Sequence, residues 1–138
     1  ENDQDFFEVK EFIEAVRFDN LGVFTYSPEP GSGAEPLGDP VPHEVKEERR
    51  AALMLLQQEI SLSKNRAKRG RIFDALLEGP CSETDLLLEG RLASQAPEID
   101  GRVLINGVPK GWTPRAGEIV RVEVTEAHPY DLVGRVLA

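Results

Sequence analysis

Near Gly70 the hydrophobic period of this chain changes. Before it, apolar residues recur every three to four positions, as on one face of a helix. After it they alternate, as on a half-buried strand. The two patterns follow one another rather than interleave, which predicts an α+β chain with helices first and a strand-built domain second. Charge divides at the same place. Residues 1–66 carry 7 basic and 14 acidic side chains, net −7, and residues 67–138 carry 9 and 11, net −2. Domains at 1–66 and 67–138 are therefore expected.

The first helix is expected to be capped by Asp3 or Asp5, with acidic residues in its first turn where the helix dipole favours them. Phe6, Val9, Phe12, Ile13 and Val16 form one apolar stripe. Arg17 to Asn20 closes it. Residues 21–26, Leu-Gly-Val-Phe-Thr-Tyr, read as a strand apolar on both faces, which suits a buried parallel strand. Such a strand needs neighbours on both sides, and nothing else before residue 70 reads as one. Residues 1–26 thus look like the last helix–strand unit of a larger α/β domain. The alternative is that this strand joins the C-terminal sheet. Glu1 is not an initiator Met, and no basic stretch followed by an apolar one opens the chain, so a processed chain or a piece of a longer one is expected.

Residues 27–42 hold five prolines and three glycines and read as a loop. No Gly-Lys-Ser/Thr follows these glycines, so they do not make a phosphate cradle. A long helix is expected over 42–68, with Pro42 at its first position. Val45, Ala52, Leu53, Leu56 and Ile60 form its buried stripe, too short and irregular for a coiled coil. The helix ends in a basic run: Lys64, Arg66, Lys68, Arg69 and Arg71 supply five of eight residues. Cations offset the dipole at a helix C-terminus, and Gly70 is a natural stop. The same residues also suit contacts to RNA phosphates.

Five short strands follow, at about 71–78, 85–91, 101–106, 118–126 and 132–137. The alternation is plainest at Ile119, Val120, Val122 and Val124, with Arg121 and Glu123 between. Turns are expected at Gly79-Pro80, Ala96-Pro97, Asn106-Gly107, Arg115-Ala116-Gly117 and His128-Pro129. Five antiparallel strands in this length point to a small closed barrel of the OB type.

No catalytic constellation is visible: no Ser-His-Asp spacing, no Gly-x-Ser-x-Gly, no Walker loop, no paired His on a helix. The one cysteine, Cys81, excludes a disulfide within the chain and a Cys-rich metal site built by it alone. It reads as a passive surface or half-buried thiol. His43 reads as a helix-start residue and His128 as a loop residue, so no metal site is expected. Trp112 reads as a lid on one barrel end and Tyr130 as a packing residue. Cysteine usage fits a reducing cytoplasm, and no stretch is apolar enough to span a bilayer. A barrel half at −2, with one Trp, one Tyr and one Phe, is poorly equipped for single-stranded nucleic acid. Its charge favours a basic partner.

Residues 17–31, from Arg17 through Tyr26 to Gly31, resemble the last barrel strand and following loop of radical-SAM methylthiotransferases. Val41-Pro42-His43-Glu44-Val45 and Leu55-Leu56-Gln57-Gln58-Glu59-Ile60-Ser61 resemble that family's linker helix. The tail resembles a TRAM domain. Ala96-Pro97-Glu98-Ile99-Asp100-Gly101 and Tyr130-Asp131-Leu132-Val133-Gly134 are similar to the branch that modifies ribosomal small-subunit protein number twelve. The resemblance implies a parent enzyme that adds a methylthio group to the β-carbon of an aspartate, using S-adenosylmethionine and two four-iron four-sulfur clusters. The three-cysteine motif is absent here, so this fragment would bind no cofactor by itself and would be catalytically incomplete. Phe24 and Tyr26 match a strand that in the family lies near the adenosine end of the cofactor. Glu98, Asp100 and Asp131 are the expected substrate-docking residues, on ribosomal protein twelve or the ribosome. The fragment is expected to be monomeric. Arg135 departs from the pattern, standing where an acidic residue is expected. The alternative is an RNA-binding TRAM module of a tRNA-modifying relative.

Overall fold

A computed structural model describes residues 1–137. The chain divides into two compact units, Glu1–Ile60 and the part from Ser61 onward.

In the first unit, α1 spans Asp3–Val16. Its cap is Asn2, one residue before the expected Asp3. The Asn2 side chain accepts from the Asp5 N–H at 3.0 Å, and Asp5 accepts from the Asn2 N–H at 2.8 Å. The reciprocal pair satisfies two donors that a helix start leaves open. Arg17 ends the helix in the left-handed conformation, φ 53°. Of the expected stripe only Ile13 is buried; Val9, Phe12 and Val16 are exposed. The unit's core is Ile13, Leu53 and Ile60, with Phe6, Phe18, Leu21, Val23 and Leu56 packed against it.

Residues 21–26 do not form the expected buried strand. Leu21 and Val23 pack on the core, but Phe24 is 92% exposed and Tyr26 is exposed as well. A strand needs a neighbouring backbone for its N–H and C=O groups, and among the described residues this unit contains only helices. After a short 3-10 turn at Glu35–Leu37, α2 runs over His43–Lys68. Pro42 sits just outside it, its carbonyl accepting from the Lys46 N–H. The expected stripe is only partly right. Leu53 and Ile60 are buried, but Gln57 is also buried between them. Its amide donates to the Phe18 carbonyl at 2.8 Å, tying α2 to the end of the first helical segment.

The second unit holds the last turns of α2 and a closed barrel of β1 (Ile72–Cys81), β2 (Thr84–Leu92), β3 (Val103–Gly107), β4 (Ile119–Ala127) and β5 (Leu132–Val136). The order around the barrel is β1-β2-β3-β5-β4, closing back on β1. Four pairs are antiparallel, but β3 and β5 are parallel, which corrects the all-antiparallel expectation. Strand direction cannot alternate all the way round a ring of five, so one neighbouring pair must be parallel. Gly70, at φ +76°, stops α2, and its N–H bonds to the Val124 carbonyl, so β1 enters the barrel directly.

Inward residues form one core: Ala75, Leu77, Leu92, Val103, Ile105, Val120, Val122, Val124, Leu132 and Val136. Trp112 and Phe73 pack against it, which agrees with the lid reading of Trp112. Gly79-Pro80 is not a turn. It lies inside β1, where the register slips twice against β2, and Gly79 has φ +129°. The hairpin turn falls instead between Cys81 and Thr84, which pair directly. Cys81 is buried rather than at the surface.

Candidate functional site

Two loops meet at one end of the barrel. The first joins β2 to β3. Gln95 closes the end of β2, its side chain accepting from the Leu92 N–H at 2.8 Å. Asp100 then closes a tight turn. Its carboxylate accepts from the Ala96 N–H at 2.7 Å, and its own N–H donates to the Ala96 carbonyl at 3.1 Å. Side-chain-to-backbone bonds of this kind favour Asp in turns. Within the turn Glu98 adopts φ 60°, and Ile99 at the tip is 85% exposed.

The second loop joins β4 to β5. Asp131 accepts from the Arg102 N–H at 2.9 Å and thereby fastens this loop to the first. The approach is so close at Gly101 that a Cβ there would lie 1.9 Å from the Tyr130 carbonyl oxygen. Tyr130 is 46% exposed and His128 is exposed, as a loop residue would be. The buried Asn65, near the end of α2, donates to the His128 carbonyl at 3.0 Å and so holds this loop from behind. The structure thus brings Asp100 and Asp131 to the two sides of the Gly101-Arg102 step, with Glu98 on the exposed turn beside them.

Arg102 is the hub that the sequence does not single out. Its guanidinium pairs with Glu83 and, at 2.9 Å, with Glu89, and it reaches Ser82. The Glu83 hydrogen bond, outweighing the opposing effect of burial, holds it above the ordinary arginine value. It therefore stays charged at any physiological pH. Two other barrel cations are likewise matched: Arg91 with Glu78 and Arg135 with Glu123. The departure at Arg135 is thus taken up by an ion pair across β4 and β5.

The basic residues lie elsewhere in this unit. Arg66, Arg69 and Arg71 are exposed, Arg71 lies over the Phe73 ring, and Lys68 donates to Asn65. Lys64 is half-buried. In the first unit, Phe24 and Tyr26 line a cavity of about 390 Å³ with Leu37, Val41 and Lys46. Lys46 pairs with Asp39 and donates to the Tyr26 carbonyl at 2.9 Å. Among the described residues no group of His, Cys, Asp and Glu is placed to hold a metal ion. Nor, among the described residues, is any helix long and apolar enough to cross a membrane.

A five-stranded closed barrel with these loops has a counterpart among known families. Residues 70–137, which hold all five strands of the barrel, match the model of the TRAM domain. Over nearly its whole length the chain is also similar to proteins named ribosomal protein uS12 methylthiotransferase RimO. The one from Koribacter versatilis (strain Ellin345) is 50% identical over 137 residues, 99% of this chain and 27% of that protein. The one from Solibacter usitatus (strain Ellin6076) is 48% identical over 97% of this chain and 29% of its own length. The one from Aquifex aeolicus (strain VF5) is 45% identical over 98% and 31%. Nearly the whole chain is thus similar to the C-terminal part of these RimO proteins. It spans about three tenths of the length of the relatives it matches.

Proposed function

We propose that this chain is the substrate-recognition portion of an enzyme that methylthiolates the β-carbon of an aspartate on ribosomal protein uS12. The observation that carries the reading is the near-50% identity to RimO proteins along the whole chain rather than in the barrel alone. In this reading residues 1–66 are the end of a radical-SAM domain with its linker helix, and 67–138 are the TRAM domain. The uncovered apolar side chains of the first unit support it. Phe7, Phe12, Phe24 and Leu37 are all more than half exposed, and residues 21–26 run without a partner strand. A preceding strand of the same protein would pair there.

S-adenosylmethionine would supply the methyl group and radical chemistry, with two four-iron four-sulfur clusters. One cysteine, buried in the barrel unit, does not fit a cysteine-ligated cluster, so no step is routed through this chain. Phe24 and Tyr26 face the cofactor side and offer flat apolar surfaces to its adenosyl group. Glu98, Asp100 and Asp131 line the docking end, and the fragment acts as a monomer in the cytoplasm. Mass spectrometry of uS12 after incubation with the protein that carries this chain tests the reading. A methylthio group on an aspartate is expected; an unmodified uS12 alongside a modified tRNA would overturn it.

One observation favours RNA as a second partner. Arg66, Arg69 and Arg71 stand exposed at the end of α2, with Lys64 and Lys68 in the same run. If they hold phosphate, binding to RNA should weaken steeply with salt. A flat salt response would exclude it.

A further inference from the structure

We infer that Ile99 and Tyr130 form an apolar anchor point for a basic polypeptide, at the barrel end where the β2–β3 and β4–β5 loops meet. The inference rests on the proposed reading and names the surface by which the substrate would be gripped.

The two loops contribute three carboxylates, Glu98, Asp100 and Asp131, with Glu126 beside them at the end of β4, and the one arginine in these loops, Arg102, is already paired with Glu83 and Glu89. Among them stand two exposed apolar side chains, Ile99 at 85% and Tyr130 at 46%. These side chains are not on floppy segments. The Asp100 carboxylate closes the turn that carries Ile99. Tyr130 lies between Pro129, whose loop Asn65 holds through the His128 carbonyl, and Asp131, which is bonded to the Arg102 N–H. The Gly101–Tyr130 approach locks one loop against the other. An apolar side chain held in place loses little entropy on binding, which is what makes an effective anchor. Apolar anchors inside a charged rim are the usual anatomy of a protein-binding surface.

The carboxylates decide the class of partner. They repel phosphate and attract lysine and arginine, so a cationic protein segment carrying an apolar side chain fits this end and a nucleic acid does not. The β1–β2 hairpin also exposes an apolar residue, Leu86 at 89%, but there Glu83 is already tied to Arg102. Leu86 therefore supplies an internal control.

The test titrates fluorescently labelled uS12 with this chain and with its Ile99→Ser, Tyr130→Ser, Glu98→Lys and Leu86→Ser variants. All four positions are exposed, and unchanged thermal midpoints would show that the fold is kept. The anchor variants should each weaken binding about fivefold to tenfold, the usual range for a moderate hot spot. Glu98→Lys should weaken it by a similar factor, with the loss shrinking at high salt, and Leu86→Ser should leave it unchanged. Full-strength binding by the Ile99 and Tyr130 variants would overturn the inference while leaving the proposed function standing. So would a loss confined to Leu86→Ser. A wild-type chain that ignores uS12 but binds a single-stranded RNA oligonucleotide would overturn both.

Discussion

Single residues at the loop junction carry more of this fold than their chemistry announces. Gly101 has no side chain because the Tyr130 carbonyl occupies the space a Cβ needs. Gly101→Ala must push two loops apart and should cost about 3 kcal/mol, at the upper end for overpacking, read as a lowered urea midpoint. Arg102→Met removes the cation from two carboxylates and should cost about 1–3 kcal/mol. Its pKa is raised, so its charge-dependent contribution is complete below the ordinary arginine range and fades only as pH climbs through the raised value. On the arginine's account the cost should therefore be equal at about pH 6 and about pH 9; a cost that vanished at the higher pH would contradict it. The alternation of Val120, Val122 and Val124 is legible as core from the amino-acid order alone, because a period of two depends only on local geometry. Gly101 and Arg102 are not, since their roles depend on which loop returns beside them. Nothing in residues 93–102 says that β5 will.

Elements are legible in proportion to how far they stabilise themselves. The long helix is expected at 42–68 and occurs at His43–Lys68, because its pattern and its Pro and Gly ends are local signals. Its buried Gln57 is not legible in the same way: a polar residue on the stripe gives no sign of burial until the Phe18 carbonyl it bonds is in place. Gly79-Pro80 reads as a turn, since that dipeptide ordinarily ends a strand. The barrel instead uses it as a bulge, to bend β1 and resume pairing. The strand expected at residues 21–26 fails for the opposite reason. Its pattern is sound, but a strand exists only with its neighbour. Two substitutions probe the helices. Asn2→Ala removes the reciprocal cap of α1 and should cost about 1 kcal/mol, seen as lost helicity by circular dichroism. Asn65→Ala strands the His128 carbonyl beneath the β4–β5 loop and should cost about 1–2 kcal/mol. Faster amide exchange at residues 128–131 would accompany it, and unchanged exchange there would show that Asn65 does not hold that loop.

The two units differ in how much apolar surface each seals on its own. The barrel unit buries ten apolar side chains in one closed core with no free sheet edge, and ion pairs join Glu78 to Arg91 across β1 and β2 and Glu123 to Arg135 across β4 and β5. The first unit fully buries three apolar side chains and leaves Phe7, Phe12 and Phe24 in water. Burial of a large side chain stabilises by about 1.5–3 kcal/mol, so a unit with so few of them is held weakly. Hydrogen exchange on this chain should therefore be graded. Amides of β1, β4 and β5 should exchange slowest, those of the C-terminal turns of α2 next, and those of α1 and residues 21–26 fastest, since exchange follows local opening free energy. If the first unit is the end of a larger domain, the ranking changes in the longer protein. There, α1 and residues 21–26 should gain protection by orders of magnitude while the barrel amides stay as they are. Equal protection of α1 in the two proteins would mean that its exposed phenylalanines meet nothing in the remainder of the longer protein, and the reading of residues 1–66 as part of a larger α/β body would fall.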